Sequence, residues 1–268
     1  QNNNLSSLNI QNGNNSIITT FNATNNPSLT CIQVSDVTYM NTNLGGLSNK
    51  DAGATYSVVC PLCIVNIPDV SFKTALLAIP GLDANSDSEV QCAEADAFIG
   101  VLNLDNLGIA DLTGIEAFVN VSSLFCNNNI LSSLNVSANT ALTTLSCNIN
   151  LLSSLNVSAN TALTYLSCSD NSLLNLDVTN NANLTYLDCR NAGLNSIDVT
   201  SNLALEYLYA DANNLNNINL TFNTALKLLN CYNCNLLSLD VSANTLLEEL
   251  GCASNSINSL DVSNNAAL

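Results

Sequence analysis

Apolar residues recur with a strict period along the second half of the chain. From Val121 to Ala267 a 21-residue unit is repeated seven times without insertion or deletion, and Leu268 would begin an eighth. A period of this length predicts a solenoid, because one unit cannot bury its own apolar face and must stack on copies of itself. The units begin at Val121, Leu142, Leu163, Leu184, Leu205, Leu226 and Leu247.

Each unit has two halves with similar spacing. The first half reads L-x-x-L-x-C-x-x-N-x, as in the segment that starts at Leu142, and the second reads L-x-x-L-x-V-x-x-N-x-A, as in the segment that starts at Leu152. Within each half, apolar residues alternate with a period of two, which is typical of strands. We therefore predict a β-rich solenoid in which every 21-residue coil presents two short parallel strands, one on each side.

Asn and Cys also form columns in register with the repeats. A buried amide can hydrogen-bond both its own turn and the next coil, so the Asn columns are predicted to be structural. The Cys column is interrupted by Ala210; because Cys is small and favours burial, we interpret it as reduced core residues rather than a thiolate metal cluster. The complete Asn column is Asn139, Asn160, Asn181, Asn202, Asn223, Asn244 and Asn265, and the Cys column is Cys126, Cys147, Cys168, Cys189, Cys231 and Cys252.

Two further segments precede the regular repeats. Residues 1–34 carry a loosened form of the spacing and residues 35–56 lose it, so we assign 1–62 to the end and C-terminal cap of a preceding array. Residues 63–120 are predicted to form a small helical N-terminal cap with a first irregular repeat, since Asp69 can cap a helix that runs to Ile79. Residues 121–268 hold the seven repeats and the start of an eighth. Because both ends fall within repeat-like patterns, we expect a segment of a longer protein.

Four cysteines precede the regular repeats. Cys31 and Cys60 flank the segment that lacks periodicity, and we predict a disulfide between them, with Cys63 to Cys92 as a second pair. The spacing Cys60-Pro61-Leu62-Cys63 would also suit a redox pair, but that motif needs a thioredoxin-like βαβ setting, which the pattern does not indicate. A structural clamp is the preferred interpretation.

An acidic loop lies between the two predicted helices of the cap. Read as a 12-residue calcium loop from Asp83 to Glu94, it places Asp83, Asn85 and Asp87 at positions 1, 3 and 5, Glu89 at position 7 and Glu94 at position 12. A hard cation prefers six to eight oxygens, which alternate side chains and a final Glu can supply. Position 6 is a Ser rather than the usual Gly. The spacing predicts a structural Ca²⁺ ion; the alternative is an acidic turn that caps the next helix.

Composition excludes several classes of function. Lys and Arg total 4 against 21 Asp and Glu, a net charge of −17, which argues against nucleic acid and against anionic membranes as partners. The chain has no His, so the commonest general base and zinc ligand is missing. No apolar run reaches the roughly 18 residues of a membrane span, so membrane insertion is not expected. We predict a protein that is not an enzyme.

Outward-facing positions vary from coil to coil, and specificity is expected there. Tyr165, Tyr186 and Tyr207 share one column of the first strand face and Tyr209 lies in the next, with Asp188 among them and Arg190 nearby. Tyrosines that point to solvent from a rigid sheet suit recognition of protein or sugar. The alternative is that stacked Tyr side chains merely stabilise neighbouring strands.

Two more columns follow the second half of each unit. The first holds Asp177, Asp198, Asp240 and Asp261, a solvated acidic surface in which weak divalent binding is the minority interpretation. The second is a regular hydroxyl column that is similar to those of ice-binding solenoids, although it mixes Ser with Thr and lacks T-x-T doublets. Its members are Ser137, Ser158, Thr179, Thr200, Thr221, Ser242 and Ser263.

The repeat resembles the leucine-rich repeats of large exported bacterial surface proteins, in the short form with a nested L-x-x-L-x-L-x-x-N half-repeat. The resemblance covers 121–268 closely and 1–34 loosely, while 64–120 is similar to the N-terminal cap that precedes such arrays. It implies a right-handed solenoid, an extracellular or cell-surface location and a binding or adhesive role, without naming a ligand.

The preferred hypothesis is a secreted or surface-exposed interaction or adhesion module that binds protein or glycan through its outward strand faces. The alternative is a structural spacer or filament-building segment whose partners are neighbouring copies of itself. An ice-binding solenoid is a distant third.

Overall fold

A computed structural model describes residues 5, 7–11, 13, 18, 20–43, 50–57 and 63–268. The chain divides into two compact units, Gln1–Ile64 and Val65–Leu268. Each unit has its own buried apolar core.

The first unit is built on three short parallel strands, β1 (Ser7–Asn9), β2 (Cys31–Gln33) and β3 (Thr55–Ser57), in that spatial order. Helix α1 (Val37–Asn43) lies between β2 and β3 in sequence. Residues 35–56, which carry no regular period, therefore still contribute a helix and a strand. Met40, Ala54 and Tyr56 are buried there, so isolated apolar residues maintain the core where the sequence pattern lapses.

The structure gives a partial view of the predicted disulfides. Cys31, Cys63 and Cys92 are disulfide-bonded, whereas Cys60 lies outside the described residues. The pairings Cys31–Cys60 and Cys63–Cys92 stay predictions.

The second unit opens with the predicted helices. In α2 (Val70–Leu77), the Asp69 carboxylate accepts a hydrogen bond from the backbone N–H of Phe72 at 3.0 Å and caps the helix. Helix α3 (Cys92–Ala97) begins with a capping box between Gln91 and Glu94. Phe72 and Leu76 are fully buried, so α2 covers one end of the repeat core. A short 3-10 helix, Ile115–Ala117, follows.

The predicted strand ladder is present on the first side of the solenoid. Eight parallel strands pair in chain order, and from β6 onward each residue lies opposite the one 21 positions later. One irregularity in register occurs where the pattern starts, between Gly100 and Val101. The strands are β4 (Gly100–Asn103), β5 (Val121–Phe125), β6 (Thr144–Ser146), β7 (Tyr165–Ser167), β8 (Tyr186–Asp188), β9 (Tyr207–Tyr209), β10 (Leu228–Asn230) and β11 (Glu249–Gly251).

On the second side, the predicted strand is reduced to single-residue bridges such as Asn135 with Asn156 and Asp177 with Asp198. The cause is local. The Asn156 side chain accepts a hydrogen bond from the backbone N–H of Ser158 at 3.0 Å, and Asp177 does the same for Thr179 at 2.9 Å. Asn and Asp side chains compete with strand pairing in this way, so the chain turns after one bridging residue.

The Asn columns have the structural role that was predicted. Asn160 donates to two carbonyls of the preceding coil, those of Val136 at 3.0 Å and Asn139 at 2.9 Å. In the other column, Asn150 donates to its own coil and the preceding one, and its Oδ1 accepts from the N–H of Leu131. Each buried amide thus connects adjacent coils at a turn of the backbone. Without it, backbone polar groups at the turn would be unpaired.

Candidate functional site

The four tyrosines of the first strand face form one group, which we call the tyrosine cluster: Tyr165, Tyr186, Tyr207 and Tyr209. Strand register brings Tyr165 opposite Tyr186 and Tyr186 opposite Tyr207. The rings of Tyr165 and Tyr186 are stacked, with centroids 4.4 Å apart and planes within 10°. Tyr186 also contacts Tyr207 and Tyr209, at 6.2 and 5.5 Å between centroids. The predicted patch is therefore a contiguous surface centred on Tyr186.

Burial controls the chemistry of the central ring. Partial burial, followed by the neighbouring Tyr165 and Asp188, raises the pKa of Tyr186 well above its usual value. The Tyr186 phenol therefore stays protonated well into the alkaline range.

Asp188 does not lie exposed within the patch, and that prediction is wrong. It is 3% exposed, and its carboxylate binds the Arg190 guanidinium through both oxygens. Asp188 is the last residue of β8, and the chain turns after it so that the Arg190 side chain folds back over it. Ser146 and Ser167 are also buried in the two preceding coils, and each donates a hydrogen bond to the side chain of an Asn in the coil before its own, Asn127 and Asn148 respectively.

Arg190 itself completes the surface. Its guanidinium carbon lies 5.2 Å from the centre of the Tyr209 ring, a cation–π contact. Hydrogen bonding to Asp188 is the main factor that raises its pKa above the usual value. Asp188 is thus a positioning residue, and Arg190 is the charged group that an approaching partner would meet.

A depression of about 310 Å³ adjoins the tyrosine cluster on the C-terminal side of Tyr209. This depression was not predicted from the sequence. The fall in side-chain size from Tyr209 to Asn230 and Gly251, along one column, would have indicated it. Leu228 and Glu249 are also among the lining residues.

Acidic residues greatly outnumber basic residues in the second unit. Three of the four basic residues lie in it, and each is paired at 2.7 Å: Lys73 with Glu89, Arg190 with Asp188 and Lys227 with Glu206. All but two of the 21 acidic residues belong to this unit. The excess carboxylates therefore leave a surface that attracts cationic partners.

Predicted calcium ligands of the acidic loop act instead as hydrogen-bond acceptors for the loop's own backbone. Asp83 accepts from the N–H groups of Asp87 and Ser88, and Glu94 accepts from those of Ala84 and Gln91. Asn85 also accepts from Asp87.

Glu89 points elsewhere and pairs with Lys73. Ser88 adopts φ 67°, the conformation for which the usual Gly is suited. In the part of the chain that the structure describes, no three Asp, Glu or Cys side chains converge to hold a metal ion. The helix-capping alternative accounts for these contacts.

On the second side of the solenoid, hydroxyl groups are used internally. Thr179 and Thr200 donate to Asp177 and Asp198 at 2.6 and 2.7 Å. These hydrogen bonds lower the pKa of both carboxyls, with the threonine hydroxyls as the first cause. Hydroxyls engaged in this way are poorly placed to form an ice-binding lattice.

The Cys column is a row of free thiols. Cys126, Cys147, Cys168, Cys189 and Cys231 are buried and not disulfide-bonded. Burial raises the pKa of Cys126 and of Cys231 to about 12, and it raises the pKa of the other three well above the usual value of a thiol. Thiols that stay protonated are poor nucleophiles and metal ligands, so the interpretation as reduced core residues holds for the structure as described.

None of the helices in the described part of the chain has the length and apolar character needed to cross a bilayer.

Comparison with known proteins supports the fold assignment. No protein-family model matches the chain, and no curated protein matches it. Among solved structures, it is similar to the functional domain of InlJ from Listeria monocytogenes, which is described as including a cysteine ladder. The identity is 29%, the TM-score is 0.62, and the match covers 78% of this chain and 52% of that one.

Two further matches lie below 25% identity and inform on fold alone. A leucine-rich-repeat protein of Leptospira interrogans is 24% identical, with a TM-score of 0.59 over 62% of this chain and 46% of that one. Internalin C2 from Listeria monocytogenes is 23% identical, with a TM-score of 0.57 over 78% of this chain and 94% of that one.

The chain spans about half the length of the first two structures. The same fold is indicated by the parallel strand register, the 21-residue coil and the similarity to these structures. Its fold is the solenoid of leucine-rich-repeat proteins such as the internalins.

Proposed function

We propose that this chain is an interaction module of a secreted or cell-surface bacterial protein, and that it binds a protein partner through the tyrosine cluster. The observation that carries the proposal is the cluster itself: four tyrosines in contact on a rigid strand ladder, flanked by Arg190. Tyr and Arg are the residue types most enriched at binding hot spots. No folding requirement accounts for them, since Thr144 and Leu228 occupy the same column in other coils.

The ring geometry favours protein over glycan. Tyr165 and Tyr186 cover one face of each other at 4.4 Å, which reduces the ring area open to a stacked sugar. Ring edges and hydroxyls suit apolar side chains and backbone carbonyls. The parallel strands also hold the rings in place before binding, so little conformational entropy is lost when a partner docks.

The disulfide-bonded cysteines support an extracellular setting, and one structural likeness supports a bacterial one. Cys31, Cys63 and Cys92 are disulfide-bonded, as is typical of proteins in oxidising compartments. The chain is also similar to the InlJ domain of a bacterium. A spacer that packs against copies of itself is less favoured, because the excess of carboxylates on each copy would repel the next.

The test is selection of peptides from a random display library on the wild-type chain, followed by affinity measurement on variants. Replacing Tyr165, Tyr186 and Tyr207 with Ser should weaken the selected peptides at least about 30-fold, the effect of losing one hot-spot residue. Tyr232→Ser is the matched control, because Tyr232 is 48% exposed and lies outside the cluster; it should change affinity less than about twofold. Peptides that bind the triple variant as well as wild type would place the binding surface elsewhere.

A further inference from the structure

We propose that the depression beside the tyrosine cluster binds an arginine side chain of the protein partner. The inference rests on the proposed function and specifies the chemistry of the ligand.

The depression has one aromatic wall and a polar rim. Tyr209 of β9 forms the wall, Leu228 and Asn230 come from β10, and Glu249 and Gly251 come from β11. Register places Tyr209 opposite Asn230, and Asn230 opposite Gly251. The recess therefore runs along one column of the ladder, where side-chain size falls sharply after a tyrosine.

Gly251 is required for this shape. A Cβ at position 251 would lie 2.5 Å from Oδ1 of Asn230, closer than real contacts allow. Any larger residue would displace the Asn230 amide from the recess. Gly251 has no left-handed φ that would require glycine, so its small size serves the neighbouring side chain rather than the backbone.

Two polar groups of the recess have no partner among the described residues. The Glu249 carboxylate and the Asn230 side-chain amide form no hydrogen bond with the protein, and Glu249 joins none of the ion pairs of the second unit. Both present oxygen acceptors beside an aromatic ring. That combination suits a planar cation, which can pack on the ring and donate N–H groups to a carboxylate.

The protein already contains a version of this arrangement. Arg190 packs against Tyr209 at 5.2 Å from the side of β8, with Asp188 neutralising it. The depression lies on the β10 side of the same tyrosine, where Glu249 is the available carboxylate. A partner arginine would therefore occupy a position related to that of Arg190 on the other side of the Tyr209 side chain.

A guanidinium is favoured over an ammonium for a geometric reason. Arginine presents a flat face to Tyr209 and a fork of donors to Glu249 and Asn230 at the same time, whereas lysine offers a compact, strongly hydrated charge. The overall excess of acidic residues would attract either, so selectivity for arginine has to come from the recess itself.

The experiment uses the full ¹⁵N-labelled chain titrated with N-acetyl-arginine N-methylamide, followed through the backbone amide signals of Gly251 and Tyr209. We expect saturable shifts at both. The uncharged isostere N-acetyl-citrulline N-methylamide should cause none, and the lysine analogue should bind at least about fivefold more weakly, given the lost bidentate geometry.

Matched variants separate the recess from diffuse electrostatics. Glu249→Gln should weaken arginine binding about 10-fold or more, as expected for loss of a charge-assisted hydrogen bond. Glu248→Gln removes the same charge one residue away, outside the recess, and should change binding less than about twofold. Gly251→Ala should weaken binding as well, through displacement of Asn230.

Three results would overturn the inference: no saturable shift, equal losses in the two Glu variants, or equal affinity for the lysine analogue. Its failure is distinguishable from failure of the proposed function. Library-selected peptides that need the tyrosine cluster but are indifferent to Glu249→Gln would leave the function standing and remove the arginine site.

Discussion

Arg190 binds Asp188 through both carboxylate oxygens, with Nε 2.9 Å from Oδ1 and Nη2 2.7 Å from Oδ2. The Asp188 side chain is 4% exposed and that of Arg190 is 46% exposed. The pair therefore joins a buried acid to a surface base, and it fixes the guanidinium over Tyr209.

Removing the base should destabilise the protein. In Arg190→Ala the buried carboxylate loses its counter-charge, and we expect the free energy of unfolding to fall by about 2 kcal/mol, less than for a fully buried pair because water can reach the site. Urea denaturation measures this. Ser167 and Ser169 hold the equivalent positions one coil earlier, so the double variant Asp188→Ser with Arg190→Ser is the control and should lose less. A double variant less stable than Arg190→Ala would contradict the proposed cause.

The buried thiols make stability depend on alkaline pH. An unfolded Cys ionises near pH 8.5, whereas burial raises the pKa of Cys126 to about 12 and that of Cys147 well above its usual value. Above pH 8.5 the unfolded chain releases protons that the folded chain keeps. The contribution of the protonated thiols to the free energy of unfolding is therefore complete below pH 8.5, and it declines as pH rises toward the folded pKa. Each thiol should remove about 1.4 kcal/mol per pH unit.

Denaturation of wild type and variant between pH 8 and 9.5 measures the effect, without a reductant, so that the disulfides of Cys31, Cys63 and Cys92 stay intact. In Cys147→Ala, the free energy of unfolding should fall less steeply with pH, and the difference should equal the contribution of one thiol. Ala is tolerated in this column at Ala210, so the variant should fold. An unchanged slope would show that Cys147 ionises in the folded state.

Ile149 is a residue poorly matched to its backbone. Its φ is 53°, a conformation costly for β-branched residues, and its side chain is 52% exposed. Asn128 and Asn191 adopt the same conformation in other coils. Ile149→Asn should therefore raise the free energy of unfolding by about 1 kcal/mol.

Ile130→Asn is the control for loss of an exposed isoleucine. Ile130 is 53% exposed and is not among the positive-φ residues, so its replacement should change stability by less than about 0.5 kcal/mol. Equal effects in the two variants would rule out backbone strain as the cause.

Calcium binding at residues 83–94 is retained as a proposal. A bound ion would have to replace backbone N–H donors at Asp83 and Glu94, and its affinity for the folded loop would raise the melting temperature as calcium is added. Differential scanning calorimetry with calcium and with a chelator measures this, and Asp83→Asn should abolish the rise. An unchanged melting temperature would leave helix capping as the role of the loop.

The core and the ladder could be predicted because each coil repeats the same local requirement. Leu142, Val157 and Asn160 are buried at fixed positions, and burial at a fixed period is visible in the sequence alone. The tyrosines were also predictable as neighbours, since the strand register equals the repeat length.

The exposure of Asp188 could not be predicted in this way. A two-residue alternation states which side of its own strand a residue faces, and it places Asp188 outward. Whether that outward side is open to water depends on the turn that follows, which here carries Arg190 back over Asp188. The depression beside Tyr209 has the same origin, because it depends on Asn230 and Gly251 from two later coils.

The coil, its period, its apolar and amide columns and the place of the tyrosine cluster can be read from the amino-acid sequence, because every repeat needs the same buried positions. The stacked coils of the folded chain set which outward residues are covered, where the second strand gives way to a turn after Asn156, and where the face is recessed. Those properties arise where side chains of neighbouring coils pack against each other. The residue pattern of a single coil does not specify these contacts between coils.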